Sequence, residues 1–346
     1  MSAVTSALVI SLSASPAAFA GSRADQPDPR GPHLPSACEA PGFTYKRLAG
    51  PNRYATSQAV MEEGAGAWGR FVVVASGENP FDALTATPLA NALKAPLLLS
   101  PAAGLSAETR AALQTAKEHG ANYAVLVGGL NALSPRVFNQ IQEMGYPSLV
   151  RYFGDDRFDT SVTVAIKTAQ IYQENGQEVK AVFFADGTSF ADSLAAGPAA
   201  ATRNGLLFLT NGPAMVWYVA EEAASYDRPM WAIGGNAAKA STSMGARPVV
   251  GADRFDTAAQ VARTFFPSTT KWLVANGYTY PDALSGGALA ANLRSPMLLT
   301  KHNGVPAPLL NYLRSTGRAT DLFVLGGPGS VSSFTERRLC EALLLP

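Results

Sequence analysis

One segment of this 346-residue chain is written three times. Arg47-Leu-Ala-Gly50-Pro-Asn-Arg53-Tyr-Ala-Thr56 returns as Arg151-Tyr-Phe-Gly154-Asp-Asp-Arg157-Phe-Asp-Thr160, and again as Gly251-Ala-Asp-Arg254-Phe-Asp-Thr257. Behind each copy comes an apolar run that ends in Gly and is followed by an Asp: Phe71 to Gly77 and Asp82, Ala181 to Gly187 and Asp192, Trp272 to Gly277 and Asp282. An Ala-rich stretch, a second apolar run (Pro96 to Ser100, Leu206 to Thr210, Pro296 to Thr300) and a third run follow. The third runs close on Gly128-Gly129, Gly234-Gly235 and Gly326-Gly327. Self-similarity at this period means that one supersecondary unit is repeated, and it restricts the fold before any single motif is weighed.

Period and punctuation give the structure of one unit. Short continuous apolar runs bounded by Gly or Pro are strands buried on both faces, as parallel strands are. The segments between them, Ala83 to Leu93 and Ala107 to His119 in the first copy, have helical length and composition. Strand alternating with helix predicts an α/β sandwich with a parallel sheet in each of three domains, 44–149, 150–246 and 247–346. Ser134-Pro135 and Ser333 with Glu336 carry helix-start signals just after the Gly-Gly turns.

The ends of the chain are different in kind. Residues 1–20 carry no charge, pass through apolar Ala7 to Leu12 and end in Ala18-Phe19-Ala20, so they are read as a secretory signal cleaved after Ala20, although a positive n-region is missing. A disordered Ala/Ser tail is the alternative. Residues 21–43 contain Pro27, Pro29, Pro32, Pro35 and Pro41 and are read as an extended linker. No later apolar run reaches the ~18 residues of a membrane span, so no membrane insertion is expected. Cys38 and Cys340, the only two cysteines, flank everything that looks folded. In an oxidising compartment they are expected to pair as a disulfide, with two unpaired thiols as the alternative.

Charge narrows the function. With 27 basic and 26 acidic residues, the chain lacks the excess that nucleic-acid binding needs. The balance is uneven along the chain: the second copy holds 7 basic and 10 acidic residues, the third 10 and 6. An anionic polymer would therefore meet the third copy first, with Lys301, Arg314 and Arg318 as candidate contacts. Three His and two Cys leave no multi-ligand zinc site, so no metal is expected. Gly64-Ala-Gly66-Ala-Trp-Gly69 matches a dinucleotide fingerprint but precedes its strand instead of following it, and no nucleotide, serine-hydrolase or metalloprotease motif is present; no cofactor and no catalytic residue are assigned.

The threefold signature, the Gly-x4-Asp loops and the Gly-Gly strand ends resemble the cell wall binding repeat 2 family of Gram-positive bacteria, over about Tyr45 to Leu344. The resemblance implies three Rossmann-like repeats around a pseudo-threefold axis. It further implies a secreted, wall-associated protein, held non-covalently to an anionic wall glycopolymer. A monomer with internal threefold order is favoured. The candidate ligand or inter-repeat residues are Arg53, Arg157, Arg254, Asp82, Asp192, Asp282 and the six strand-end glycines. For the arginines, a lock between repeats is favoured over a polymer contact; for the loop Asp residues, a helix N-cap or structural pairing is favoured over catalysis. The third copy has Pro248 where the others have Arg47 and Arg151, and the second has Asn204-Gly205 in place of Ala95-Pro96 and Ser295-Pro296. Two other readings stay open: a wall hydrolase, which needs one copy to hold an acid or base the others lack, and a surface adhesin or ligand receptor on the same scaffold.

Overall fold

The computed structural model describes residues 38–316 and 319–344. The signal segment, most of the Pro-rich linker and Arg318 lie outside the described residues. The first copy runs β1 (Thr44–Leu48), α1 (Arg53–Glu63), β2 (Phe71–Ser76), α2 (Pro80–Leu84), α3 (Ala86–Ala92), β3 (Leu97–Ser100), α4 (Ala107–Glu118), β4 (Tyr123–Val127) and α5 (Pro135–Glu143). The second runs β5 (Ser148–Tyr152), α6 (Arg157–Glu174), β6 (Ala181–Asp186), α7 (Phe190–Thr202), β7 (Gly205–Thr210), α8 (Trp217–Ser225), β8 (Met230–Ile233) and α9 (Gly235–Ala240). The third runs β9 (Arg247–Val249), α10 (Arg254–Phe265), β10 (Lys271–Asn276), α11 (Pro281–Asn292), β11 (Met297–Thr300), α12 (Ala307–Ser315), β12 (Asp321–Leu325) and α13 (Ser333–Leu344).

These elements form three four-stranded sheets in the orders β3-β2-β4-β5, β7-β6-β8-β9 and β11-β10-β12-β1. Every pairing is parallel. Helices cover both faces, so the middle strands are buried, as in Val72 to Ala75 of β2 and Ala124 to Val127 of β4. The fold is therefore the α/β, three-unit architecture that the repeats predict. The sheets are offset from the sequence copies, however. The strand that opens each copy closes the sheet of the copy before it, and β1 closes the sheet of the last, with Thr44 opposite Asp321 and Leu48 opposite Leu325.

That offset closes the three described copies into a ring. At the closure, Cys38 and Cys340 form a disulfide with Cα atoms 5.0 Å apart. Arg47 on β1 pairs with Glu336 on α13 at 2.9 Å and donates to the carbonyls of Gly326 and Val331. Cross-linking positions 302 residues apart removes more denatured-state entropy than any short loop would.

At the centre, α3, α7 and α11 pack against one another. Their small side chains let the backbones approach. Thr87, Gly197 and Gly287 occupy the matching position, five residues past each loop Asp, and meet there: a Cβ at Gly197 would lie 3.0 Å from Thr87 Cβ, and one at Gly287 2.5 Å from Thr87 Oγ1. One threonine fills the space that two glycines leave.

Candidate functional site

The signature arginines open helices α1, α6 and α10, each of which begins at the Arg itself. Asn52, Asp156 and Asp253 are the N-caps, each accepting from two backbone amides of the first turn. This start aims each guanidinium at the glycine carbonyl just past the second strand of its own copy, β2, β6 or β10. Arg157 donates to Gly187 at 3.0 Å, Arg254 to Gly277 at 2.8 Å, and Arg53 to Gly77. Each also lies against an aromatic ring of the preceding copy: Arg157 over Phe81 at 3.7 Å, Arg254 near Phe190 at 5.9 Å, and Arg53 near Tyr280 at 5.7 Å. The relation is cyclic, so the first copy leans on the third. Cation–π contacts of this kind contribute ~1 kcal/mol each.

The loop Asp residues are not N-caps. Pro80 and Pro281 stand at N1 and Asn79 caps α2, so Asp82, Asp192 and Asp282 fall inside the first turn. Helices α2 and α11 start earlier than expected because Pro at N1 suits a helix opening better than an interior, and α7 opens at the matching place with Phe190. Burial raises all three carboxyls above the usual range, Asp192 to about 6. The buried hydroxyls of Thr160, Thr257 and Thr56 on the next copy, and the arginines Arg157, Arg254 and Arg53, oppose that rise. The same hydroxyls accept from the amides of Gly154, Gly251 and Gly50, respectively, at 3.1, 3.2 and 3.2 Å. No carboxylate–guanidinium pair within 4 Å forms between these Asp and Arg residues; the arginines are held by carbonyls and rings.

The first glycine of each Gly-Gly turn backs onto the loop Asp. Gly128, Gly234 and Gly326 have φ of 117°, 88° and 90°, and a Cβ there would come within 2.8, 2.1 and 2.2 Å of a carboxylate oxygen of Asp82, Asp192 and Asp282. A Cβ at Gly129 or Gly235 would make only an ordinary contact, 3.7 Å from Phe153 and 4.0 Å from Val250, and one at Gly327 would meet nothing within 4 Å. The six glycines thus split into three that fix the turn and three that tolerate a side chain, of which Gly327 faces a cleft. Between the third and first copies that cleft, about 610 Å³, is lined by Asn52, Arg53, Tyr278, Tyr280, Asp282 and Gly327, among others.

One junction carries an acid that has no counterpart. Asp186 ends β6 where the other copies have Ser76 and Asn276. This asymmetry is not evident from the residues alone. Asp186 is buried, and its oxygens accept from the Thr188 amide and hydroxyl, the Gly212 amide and Asn236 Nδ2 at 2.7 to 3.2 Å. The sheets also differ at Pro248: Arg47 and Arg151 donate to the Gly-Gly turn carbonyls of their sheets, while in the sheet that holds Pro248 Asn236 just past the turn donates to Asp186. Ser332 and not Ser333 caps α13, its hydroxyl accepting from the Thr335 amide. Among the described residues no three His, Cys, Asp or Glu side chains gather as metal ligands.

Comparison with known proteins places this geometry. The profile of cell wall binding domain 2 matches residues 47–138, 151–243 and 249–336. N-acetylmuramoyl-L-alanine amidase LytC of Bacillus subtilis is 29% identical over 303 residues, covering 86% of this chain and 58% of that protein. The amidase enhancer of the same organism is 26% identical over 310 residues, covering 86% and 40%. This chain therefore spans about half the length of the curated relatives it matches. Among solved structures, Cwp6 from Clostridium difficile superimposes with a TM-score of 0.79 at 25% identity, over 87% of this chain and 48% of that one. Cwp8 from the same organism gives 0.76 at 22%, over 88% and 52%.

Proposed function

Since the chain belongs to the cell wall binding domain 2 family, we propose that it holds to the wall non-covalently through an anionic secondary wall polymer, as a secreted, non-catalytic component at the cell surface. The observation that carries this reading is the cyclic junction. Three copies lock each other through Arg, Asp, Thr and Gly-Gly, so the repeated polar residues are engaged in building a rigid frame. A frame of related units gains avidity on a repeating polymer without one deep pocket.

The hydrolase reading draws on the amidase relative and would place its acid at Asp186. Four donors already surround that carboxylate, which speaks for a structural acceptor and against a proton donor poised for chemistry. A pull-down on purified walls, before and after removal of teichoic-type polymers, tests the proposal. Retention on native walls and loss on stripped ones is expected; equal binding to both overturns the anionic-polymer reading, and release of soluble muropeptides overturns the non-catalytic one.

A further inference from the structure

At the amino-terminal ends of the strands, opposite the Asp junctions, the three copies stop matching. Lys94, Asn204 and Arg294 sit just past the central helices at the same left-handed position, with φ of 50°, 46° and 51°. Where the second and third copies meet on this face, an open groove of about 1020 Å³ is lined by Lys180, Arg203, Arg247, Arg294 and Trp231, among others, and by no Asp or Glu. All four cations are exposed. None has a carboxylate within 4 Å among the described residues. Through Arg294 the groove continues into a neighbouring one of about 1230 Å³ that adds Lys94 and Lys167 and holds a single carboxylate, Glu174.

The pseudo-equivalent positions show that this clustering is not part of the repeat. Arg247 is matched by Val150 and by Lys46, and Lys46 is spent on Glu63 at 2.8 Å. Arg203 is matched by Leu93 and Leu293, and Lys180 by Arg70 and Thr270. Four cations coincide at one seam only. Like charges without a carboxylate partner in a concave groove repel one another and focus a positive potential, which favours an anion from solution. Arg247 lies over the Trp231 ring at 5.5 Å, and Phe265 meets that ring edge-on at 5.0 Å, so a rigid apolar surface adjoins the charges.

We propose that this groove is a polyanion-binding site, taking a glycan that carries repeated phosphate or carboxylate groups, with the anions on Lys180, Arg203, Arg247 and Arg294 and a sugar face against Trp231. It rests on the wall-binding reading for the source of the polymer. It places the contact at the amino ends of the strands, not at the carboxyl ends where open parallel sheets usually bind ligands, and not at Lys301 and Arg314, which line neither cavity.

The test compares two triple variants of the full chain. Lys180→Gln/Arg247→Gln/Arg294→Asn removes three groove cations whose side chains donate to no protein group among the described residues, and Asn is at home in the left-handed position, as Asn204 shows. Arg203, which donates to the Phe265 carbonyl, is left in place. Arg110→Gln/Lys301→Gln/Arg314→Gln removes the same charge elsewhere on the surface. Melting curves confirm that both fold. Titration with soluble poly(glycerol phosphate) and with polygalacturonate, and pull-down on native and acid-stripped walls, supply the readouts. We expect the groove variant to bind about tenfold or more weakly, with a shallower salt dependence, and the surface variant to match the unmutated chain. Preference for one of the two polyanions identifies the anion. Equal weakening in both variants, or none in either, overturns the groove. If the unmutated chain ignores walls but binds a soluble polyanion through the groove, the wall reading fails and the groove stands; if it binds walls but neither variant loses affinity, the reverse holds.

Discussion

The two ends of the strands carry opposite messages. At the carboxyl ends the same four parts recur at all three seams: a signature Arg, a half-buried Asp, a Thr hydroxyl and a Gly-Gly turn. At the amino ends the seams differ, and one gathers four unpaired cations that the other two lack. What is copied threefold builds the ring, because each seam must be closed in the same way. What is present once has no such duty, and recognition is free to settle there. Variants that strike one end and spare the other sharpen this division, and they are ordered here by expected size.

The ring closure should matter most. Cys38→Ser or Cys340→Ser frees β1 and α13 from each other, and loop-closure entropy puts the loss at ~4 kcal/mol. Chemical denaturation with and without reductant reads it directly. A loss below ~1 kcal/mol would mean that β1 is held by sheet pairing and the Arg47–Glu336 pair alone. The second test sets neighbouring glycines against each other. Gly326→Ala meets both a left-handed φ and the Asp282 carboxylate and should cost ~3 kcal/mol, while Gly327→Ala meets nothing and should cost under ~0.5 kcal/mol. Equal melting temperatures for the two would undo the assignment of Gly326 to the frame.

How much of this was readable in advance follows from what each feature depends on. The repeat, the parallel α/β units and the three Gly-Gly strand ends are written in local pattern, and the Cys38–Cys340 pairing follows from there being only two cysteines, one at each end of the folded chain; which glycine of each pair fixes the turn is not written there. Nor is the sheet offset, since Thr44 to Leu48 reads as a strand whichever sheet it joins, and only tertiary packing assigns it to β12. The sequence offers the loop Asp residues as N-caps or structural pairs, and the first does not hold, because Pro80 and Pro281 at N1 set the starts of α2 and α11 and α7 opens at Phe190. Asp186 was passed over since one polar residue among Ser76 and Asn276 does not stand out until its four donors are seen. Lys180, Arg203, Arg247 and Arg294 are scattered over more than a hundred residues, and only the basic balance of the third copy hinted at them.

Acid titration probes the carboxyl-end seams together. Burial holds Asp192 at about 6 in the fold against 3.8 unfolded, so between those values the folded chain keeps a proton that the unfolded chain has released. Stability from this group is greatest below pH 4, falls as pH rises to about 6, and is flat beyond. The difference is ~1 to 2 kcal/mol once partial solvent screening is counted. Asp192→Asn should therefore raise stability at pH 7, leave it nearly unchanged at pH 4, and flatten the slope between. Denaturant midpoints at the two pH values measure this, and a variant destabilised at pH 7 would show that the charged form is what the seam requires.

The smallest effect tests whether the three arginines are equal partners. Each donates to a glycine carbonyl, but only Arg157 rests directly on its ring, at 3.7 Å, because Phe81 stands one residue before Asp82 while Phe190 and Tyr280 stand two before Asp192 and Asp282. Arg157→Ala should cost ~1.5 kcal/mol, with Arg53→Ala and Arg254→Ala a few tenths less. A double-mutant cycle with Phe81→Ala isolates the ring contact, for which a coupling of ~0.5 to 1 kcal/mol is expected. Wall binding by the folded fraction should not change in any of the three. If instead Arg157→Ala leaves melting intact and weakens binding, the guanidinium serves the polymer and not the seam, and the division between the two ends of the strands fails at its most symmetrical residue.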